Sequence, residues 1–271
     1  MPLNLPGILV PFHLLLNPRL VVPHLVVKDI RQLDFRELRR AGYRGAVFDK
    51  DNCLTLPHED ALVPELTDAW KECCQTFGSG YVLVVSNSAG SHLDAGEIQA
   101  EAVSHRLAVP VLRHTSFKPS YSCIASIRAY FASLPSPVRD EELIIVGDRL
   151  LTDVVLANRM ACKKRIQAKP RQLSGEQSVT ITEKQSYVLH ATTRNSSGPL
   201  AIWTNGVWKR DSPVVRILEK QILRGVDSWI LRGRGVLAEA DARNFVRNLP
   251  QADVPKQEGL WKKLWHRFKG S

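Results

Sequence analysis

The sequence predicts a doubly wound α/β fold, in which helices cover both faces of a parallel β-sheet. Short apolar runs, of the kind that parallel sheets bury on both faces, alternate with segments of helical pattern. Polar clusters follow these runs directly, at the edge where such sheets place their sites. The runs that predict strands are 46–48, 81–85, 109–112, 143–146 and 200–203.

Helices are predicted between these strands, as parallel crossovers require. A short basic helix covers 33–40, and Gly42 ends it before the first strand. Gly78 and Gly80 mark a turn ahead of the second strand. The remaining helices of this part are predicted at 64–77, 96–107, 121–134 and 152–160.

Composition narrows the class of partner. A chain of 271 residues suits one domain with appendages or with a small second domain. The net charge of +10 indicates an anionic partner, which could be nucleic acid, an acidic lipid surface or a phosphorylated substrate. Five cysteines without a C-x-x-C pair indicate neither a disulfide framework nor a zinc site.

The N-terminal segment, residues 1–41, is apolar and basic. Its first 28 residues contain no Asp or Glu, and recurring prolines interrupt any transmembrane helix. A cleaved secretory signal fits poorly, since no basic region precedes a continuous apolar stretch. Two interpretations stay open: a membrane-associating or organelle-targeting segment, and an arm that packs on the domain.

The main domain is predicted over 42–230. Residues 162–198 interrupt its pattern, and their richness in Lys, Arg, Gln, Ser and Thr predicts a long, mobile surface insertion. Apolar residues at helical spacing over 214–231 predict an amphipathic helix, and most such stripes face a core.

The basic C-terminal tail, residues 231–271, contains an amphipathic helix over 259–269. Trp261, Trp265 and Phe268 share one face of this helix, and cations occupy the other. Tryptophans opposite a basic face suit the interface of an anionic bilayer. A helix that docks on a partner protein, calmodulin-like recognition included, is the alternative.

The first strand ends in Asp49-Lys50-Asp51-Asn52. At positions i and i+2 of an extended chain, Asp49 and Asp51 project to the same side. Two carboxylates that close repel unless a cation lies between them or one holds a proton. Mg²⁺ favours carboxylate oxygens and leaves room for a substrate phosphate. Taken alone, the motif is better explained as an Asp-rich turn that caps the next helix.

The residues at the later strand ends favour a catalytic role for this motif over a capping turn. They supply Ser86, Asn87, Lys118, Asp148 and Asp153. Singly, Ser86 could be a helix cap, Lys118 a solvated lysine and Asp148 a turn acid. Together and in this order they indicate phosphoryl transfer, which needs a nucleophile, an acid, a cation and fixed donors for the phosphoryl oxygens.

Each residue then has a role in a two-step reaction. Asp49 attacks phosphorus and forms an aspartyl-phosphate. Asp51 protonates the leaving alkoxide and then helps to activate water. The Ser86 hydroxyl, the Asn87 backbone N–H and the Lys118 ammonium hold the phosphoryl oxygens.

The same arrangement predicts the metal ligands. Asp148, an Asp49 oxygen and the backbone carbonyl of Asp51 would bind Mg²⁺. Asp153, one turn into the following helix, would support the metal shell or orient Lys118.

This ordered set closely resembles the haloacid dehalogenase (HAD) superfamily of phosphohydrolases. The four motifs are Asp49-Lys50-Asp51-Asn52, Val85-Ser86-Asn87, Lys118-Pro119 and Gly147-Asp148-Arg149-Leu150-Leu151-Thr152-Asp153. The resemblance implies a HAD-like, Rossmann-like sheet, with Lys50 and Asn52 in supporting positions. Residues 52–64 are too short for a cap domain, and 91–117 accommodate little beyond one helix and one strand, so a large cap is not expected.

Three stretches, 47–52, 86–90 and 147–158, are closer still to the mitochondrial phosphatidylglycerophosphate (PGP) phosphatases of fungi and plants. That resemblance implies Mg²⁺-dependent removal of the terminal phosphate from PGP, at the matrix face of the inner membrane, in the cardiolipin pathway. It covers roughly 14–160 and resumes at 200–229. In the family the last helix runs almost directly into the strand that begins here at Leu200, so 162–198 is extra.

The favoured function is therefore a lipid phosphatase at an anionic membrane surface, with no nucleic acid as a partner. An uncapped site stays open to a phosphate that protrudes from a bilayer. Openness and basic charge also fit an uncapped HAD phosphatase acting on nucleic-acid ends or phosphoproteins. A non-catalytic membrane adaptor on the same scaffold would have no need for Asp49, Asp51 and Asp148 together.

Overall fold

The computed structural model describes residues 17–78, 80–167, 198–206, 208, 219, 221–222, 224–226 and 243–247. Within 162–167 it describes the backbone alone. Residues 1–16 and the tail helix predicted at 259–269 lie outside this set. So do most of the predicted insertion and most of the helix predicted at 214–231.

A parallel sheet with the strand order β1-β5-β4-β2-β3 organises the described part of the chain. Every neighbouring pair in the sheet is parallel. The strands are β1 (Leu25–Val27), β2 (Gly45–Phe48), β3 (Val82–Val84), β4 (Leu143–Gly147) and β5 (Leu200–Thr204). The predicted doubly wound α/β class is confirmed, and the order is consistent with a HAD-like, Rossmann-like fold.

Helices connect the strands. They are α1 (Phe35–Arg40), α2 (Thr67–Phe77), α3 (Ile98–Leu107), α4 (Tyr121–Ala132) and α5 (Val155–Gln167), which a π-helical turn (Leu150–Val154) precedes. Side-chain caps start two of them: Asp34 accepts the Glu37 N–H ahead of α1, and Ser120 accepts the Cys123 N–H in α4. Among the described residues, we find no helix long and apolar enough to cross a membrane.

Two apolar layers enclose the sheet. Successive residues of β2 alternate between them: Ala46 and Phe48 face the layer that holds α1 and α2, and Val47 faces the layer that holds α4. Phe48 packs edge-on against Trp70 of α2, with ring centroids 5.2 Å apart. Because helices cover both faces, every residue of β2 and β4 is buried, as their apolar runs predicted.

The described segments that could carry a cap domain contain none. Residues 49–66 hold turns, isolated bridges and a 3₁₀ turn (Pro64–Leu66), and 85–117 hold α3 with a preceding 3₁₀ turn. Neither of these two described segments therefore holds a cap domain, as predicted from their lengths.

Strand β1 is the main departure from the prediction. It lies inside the segment 1–41, where no strand was predicted, and it pairs with β5 at the sheet edge. Three residues are too short for a pattern, and Val26 is exposed between buried Leu25 and Val27. The predicted strand 109–112 forms a single parallel bridge between Val84 and Val111, because Pro110 has no N–H to continue the ladder.

Residues 243–247, within the predicted tail, pack against α1. The Asp34 N–H donates to the Phe245 carbonyl at 2.9 Å, and Leu33 pairs with Val246. The Arg247 guanidinium lies 2.6 Å from the Glu72 carboxylate and 3.0 Å from that of Asp34. This part of the tail therefore belongs to the folded unit.

Candidate active site

Polar residues from several loops meet at the carboxyl edge of the sheet. Asp49 directly follows β2, Ser86 lies two residues after β3, and Asp148 directly follows β4. Lys118 comes from the loop that precedes α4. The Ser86, Lys118 and Asp148 side chains are all buried, so the edge holds a compact polar cluster on an apolar base.

Lys118 joins two of the predicted acids. Its Nζ lies 2.7 Å from Asp49 Oδ1 and 2.7 Å from Asp153 Oδ1. Burial lowers the pKa of Lys118, but the charges of Asp153 and Asp49 outweigh burial and raise that pKa. The side chain is therefore an ammonium, and Asp153 is placed where it orients this group.

Asp49, Asp148 and Asp153 form an acidic cluster whose ligand oxygens all lie within 4.8 Å of one another. Burial raises the pKa of Asp49 to about 6; Lys118 opposes this shift, and the Asp153 carboxylate adds to it. Carboxylate oxygens are the donors that Mg²⁺ prefers. The donor set and its concentration of negative charge thus fit a divalent cation.

Asp51 occupies a different environment. Its Oδ1 lies 2.9 Å from Lys50 Nζ and accepts the His58 N–H, and its Oδ2 accepts the Ser88 hydroxyl at 2.8 Å. Burial raises the pKa of Asp51, but Lys50 and the hydrogen bonds outweigh burial and lower that pKa. The structure does not bring this carboxylate into the acidic cluster.

The chain turns directly after Asp51, where Asn52 adopts a φ of 60° and donates its N–H to the Thr55 carbonyl. The Asp51 carboxylate remains close enough to Asp49 to contribute to the raised pKa of that acid. As a metal ligand, only the Asp51 backbone carbonyl stays a prediction.

Lys50 supports this turn from inside. Its side chain is 1% exposed, and its Nζ donates to the Glu59 carbonyl at 2.9 Å besides contacting Asp51. One buried ammonium thus ties the loop after β2 to the second acid of the motif.

The predicted phosphate-binding loop contacts the Lys118 segment. The Asn87 side chain accepts the Lys118 N–H at 2.7 Å and donates to the Lys118 carbonyl at 3.4 Å. The Ser86 and Ser88 hydroxyl oxygens lie 2.9 Å apart. The Asn87 side chain thus fixes the Lys118 segment, and the contact of the Asn87 backbone N–H with phosphate stays a prediction.

Two residues that support the site were not predicted. Buried His114 contacts the Ser86 carbonyl through Nε2 at 2.9 Å and the Ser116 carbonyl through Nδ1 at 2.7 Å. Trp203 in β5 donates its Nε1–H to the Asp148 carbonyl at 2.9 Å. His114 could have been predicted to lie near the site, because it follows the predicted strand 109–112 by two residues. For Trp203 only the folded sheet shows the contact.

Gly147 leaves the space that Asp153 occupies. A Cβ at this position would lie 2.3 Å from Asp153 Cγ. We therefore expect Gly147→Ala to displace Asp153 from Lys118 and to lower the turnover of a soluble phosphomonoester by about 100-fold. Gly225→Ala is the control, since its Cβ would meet nothing within 4 Å. Wild-type turnover in Gly147→Ala would contradict this account of the site.

Comparisons with known proteins identify relatives that are phosphatidylglycerophosphate phosphatases. The family model described as mitochondrial PGP phosphatase matches residues 5–168, more than half of the chain. The chain is 42% identical over 161 residues to the chloroplastic phosphatidylglycerophosphate phosphatase 1 of Chlamydomonas reinhardtii, covering 59% of this chain and 57% of that relative. It is 35% identical over 158 residues to the mitochondrial phosphatidylglycerophosphatase of Saccharomyces cerevisiae, covering 58% and 83%. No solved structure matches.

Proposed function

Because the chain belongs to the mitochondrial PGP phosphatase family, we propose that it hydrolyses the terminal phosphate of phosphatidylglycerophosphate and releases phosphatidylglycerol. The observation that carries the proposal is the Lys118 bridge from Asp49 to Asp153, with Asp148 in the same cluster. Such a cluster offers a nucleophile, a fixed cation and metal ligands at one edge of the sheet. The names of the relatives supply the substrate class.

In the first step an Asp49 carboxylate oxygen attacks phosphorus. The new O–P bond forms an aspartyl-phosphate while the bond from phosphorus to the glycerol oxygen breaks. Lys118 and the Ser86 hydroxyl hold the phosphoryl oxygens, whose negative charge would otherwise repel the nucleophile. Because its pKa is lowered, Asp51 first takes up a proton from water as the phosphate binds, and it then gives this proton to the leaving oxygen. Ser88 links Asp51 to the Ser86 hydroxyl at 2.8 and 2.9 Å.

In the second step water attacks the aspartyl-phosphate. Asp51, now a carboxylate, takes the proton of the water as it reaches phosphorus. Inorganic phosphate leaves, and Asp49 regains its carboxylate. Because Lys118 contacts both Asp49 and Asp153, it holds the nucleophile in place through both steps.

Mg²⁺ is the cofactor that we propose. Asp49 and Asp148 would hold it, with the Asp51 backbone carbonyl, and Asp153 would support this shell. When bound, Mg²⁺ offsets the negative charge on the phosphoryl oxygens. Buried carboxylates without a further cation repel one another, which is the physical ground for a divalent ion here.

We also propose that the protein acts as a peripheral enzyme on the matrix face of the mitochondrial inner membrane, in the cardiolipin pathway. Two fungal relatives carry a mitochondrial designation in their names. The net charge of +10 favours an anionic phospholipid surface as partner.

Phosphate release from PGP vesicles tests the function. We expect release that needs Mg²⁺ and stops with a chelator, and slower release from 5′-phosphorylated oligonucleotides and phosphopeptides. Release from oligonucleotides or phosphopeptides, with none from PGP, would replace the lipid function by the alternative of an uncapped phosphatase for nucleic-acid ends or phosphoproteins. A soluble aryl phosphate serves as the control that the preparation is active.

A further inference from the structure

Three exposed apolar side chains lie at the carboxyl edge of the sheet. Ile98 is 70% exposed, Tyr121 53% and Leu93 47%. Among the described residues, the only other large apolar side chain in this class is Val26, at 45%. Three of the four exposed large apolar side chains in the described residues thus lie at the edge that holds the active site.

The sheet topology places the three at one edge of the sheet. Leu93 lies in the loop after β3, Ile98 is the first residue of α3, and Tyr121 is the first residue of α4. In a parallel sheet, each strand ends and the next helix begins at the carboxyl edge. Asp49 and Lys118 occupy this same edge. Val26 instead lies in mid-strand in β1, at the far end of the strand order from β3.

Hydrogen bonds to one carboxylate hold the loop that carries Leu93 and Ile98. The Asp94 carboxylate accepts the N–H groups of Gly90, Gln99 and Ala100 at 2.8 to 3.0 Å. These bonds tie both ends of the loop to one buried acid. The outward direction of the two apolar side chains is therefore built into the fold.

The same loop is joined to the active site. The Ser91 hydroxyl donates to the Ser88 carbonyl at 2.8 Å, and Ser88 contacts Asp51. The His92 ring lies 4.6 Å from the ring of Phe117, which precedes Lys118 in the chain. The loop that carries Leu93 therefore contacts residues that adjoin Asp51 and Lys118.

Tyr121 has the character of a membrane-interface residue. The Arg159 guanidinium lies over its ring, 5.5 Å from the centroid, and donates to the Pro119 carbonyl. Tyrosine rings with a polar tip are enriched at the headgroup level of bilayers. The Arg113 side chain is 59% exposed at the same edge and pairs with Glu97.

We propose that Leu93, Ile98 and Tyr121 form a bilayer-contacting rim that seats the mouth of the active site on the lipid surface. This proposal rests on the proposed function. A substrate held in the membrane by its acyl chains can present its terminal phosphate to Asp49 only if this edge faces the bilayer. Aliphatic side chains inserted at the headgroup boundary, with a tyrosine beside them, suit a lipid surface.

Vesicle sedimentation with the full-length protein tests the rim without needing turnover. The variant is Leu93→Ser/Ile98→Ser, and the vesicles contain phosphatidylglycerol with phosphatidylcholine. We expect vesicle affinity to fall about tenfold or more, because each exposed aliphatic side chain loses its transfer into the interface. The ratio of turnover on PGP vesicles to turnover on a soluble aryl phosphate should fall in parallel.

Two matched variants complete the test. Val26→Ser, an exposed apolar residue away from the rim, should keep both vesicle affinity and the turnover ratio of the wild type. Leu93→Ile/Ile98→Leu should retain binding, and unchanged thermal unfolding of the Ser variant excludes misfolding. Wild-type sedimentation of the Ser variant, or equal losses in Val26→Ser, would overturn the rim. Failure of the wild type to hydrolyse PGP would instead reject the proposed PGP phosphatase activity. The sedimentation result could still be interpreted, because vesicle binding does not require turnover.

Discussion

Asp49→Asn is expected to abolish phosphate release from PGP and from soluble phosphomonoesters. An amide of the same shape cannot attack phosphorus, so the aspartyl-phosphate cannot form. Loss of a nucleophile lowers turnover by about 10⁴-fold or more in enzymes of this kind. Lys118 keeps its second partner, Asp153, at 2.7 Å. The fold should therefore survive, and single-turnover phosphate release beside thermal unfolding measures both effects.

A matched control separates this role from a general loss of charge. Asp68 lies in the first turn of α2, is exposed and takes no part in the acidic cluster. Asp68→Asn should retain turnover close to that of the wild type. Residual turnover near the wild-type value in Asp49→Asn would reject Asp49 as the nucleophile, whether or not PGP is the substrate.

Two features of the structure could be predicted from the sequence, because each depends on a single physical rule. Continuous apolar runs predicted β2 and β4 because both faces of those strands are covered. The order of polar strand ends predicted that Asp49, Lys118 and Asp148 would meet, since parallel strands share a carboxyl edge. Each of these inferences needs only local pattern and sheet topology.

Three other features could not be predicted, because they depend on contacts that form only in the folded chain. Strand β1 has three residues and is specified by its pairing with β5. The Asp51 carboxylate contacts buried Lys50 and lies outside the acidic cluster, which the spacing of the motif alone does not show. Trp203 supports Asp148 across the sheet from 55 positions further along the chain. Tertiary structure decides such features, so sequence reasoning could name the residues but not their orientation.

Lys118→Met is expected to cost both stability and activity. The substitution keeps an unbranched side chain but removes the ammonium that lies 2.7 Å from Asp49 and from Asp153. Removal of one partner from a buried ion pair lowers the free energy of unfolding by about 3–5 kcal/mol. Urea unfolding with a chelator present measures this loss. Lys71→Met, at an exposed position of α2, is the control and should unfold like the wild type.

A second substitution distinguishes charge from packing as the cause. In the Lys118→Met background, Asp153→Asn removes one of the two unpaired buried carboxylates. If uncompensated charge is responsible, the double variant should recover part of the lost stability. It should remain inactive, because the phosphoryl oxygens still lack their ammonium donor. A further loss of stability in the double variant, or a Lys118→Met protein that unfolds like the wild type, would show that Lys118 does not balance these acids.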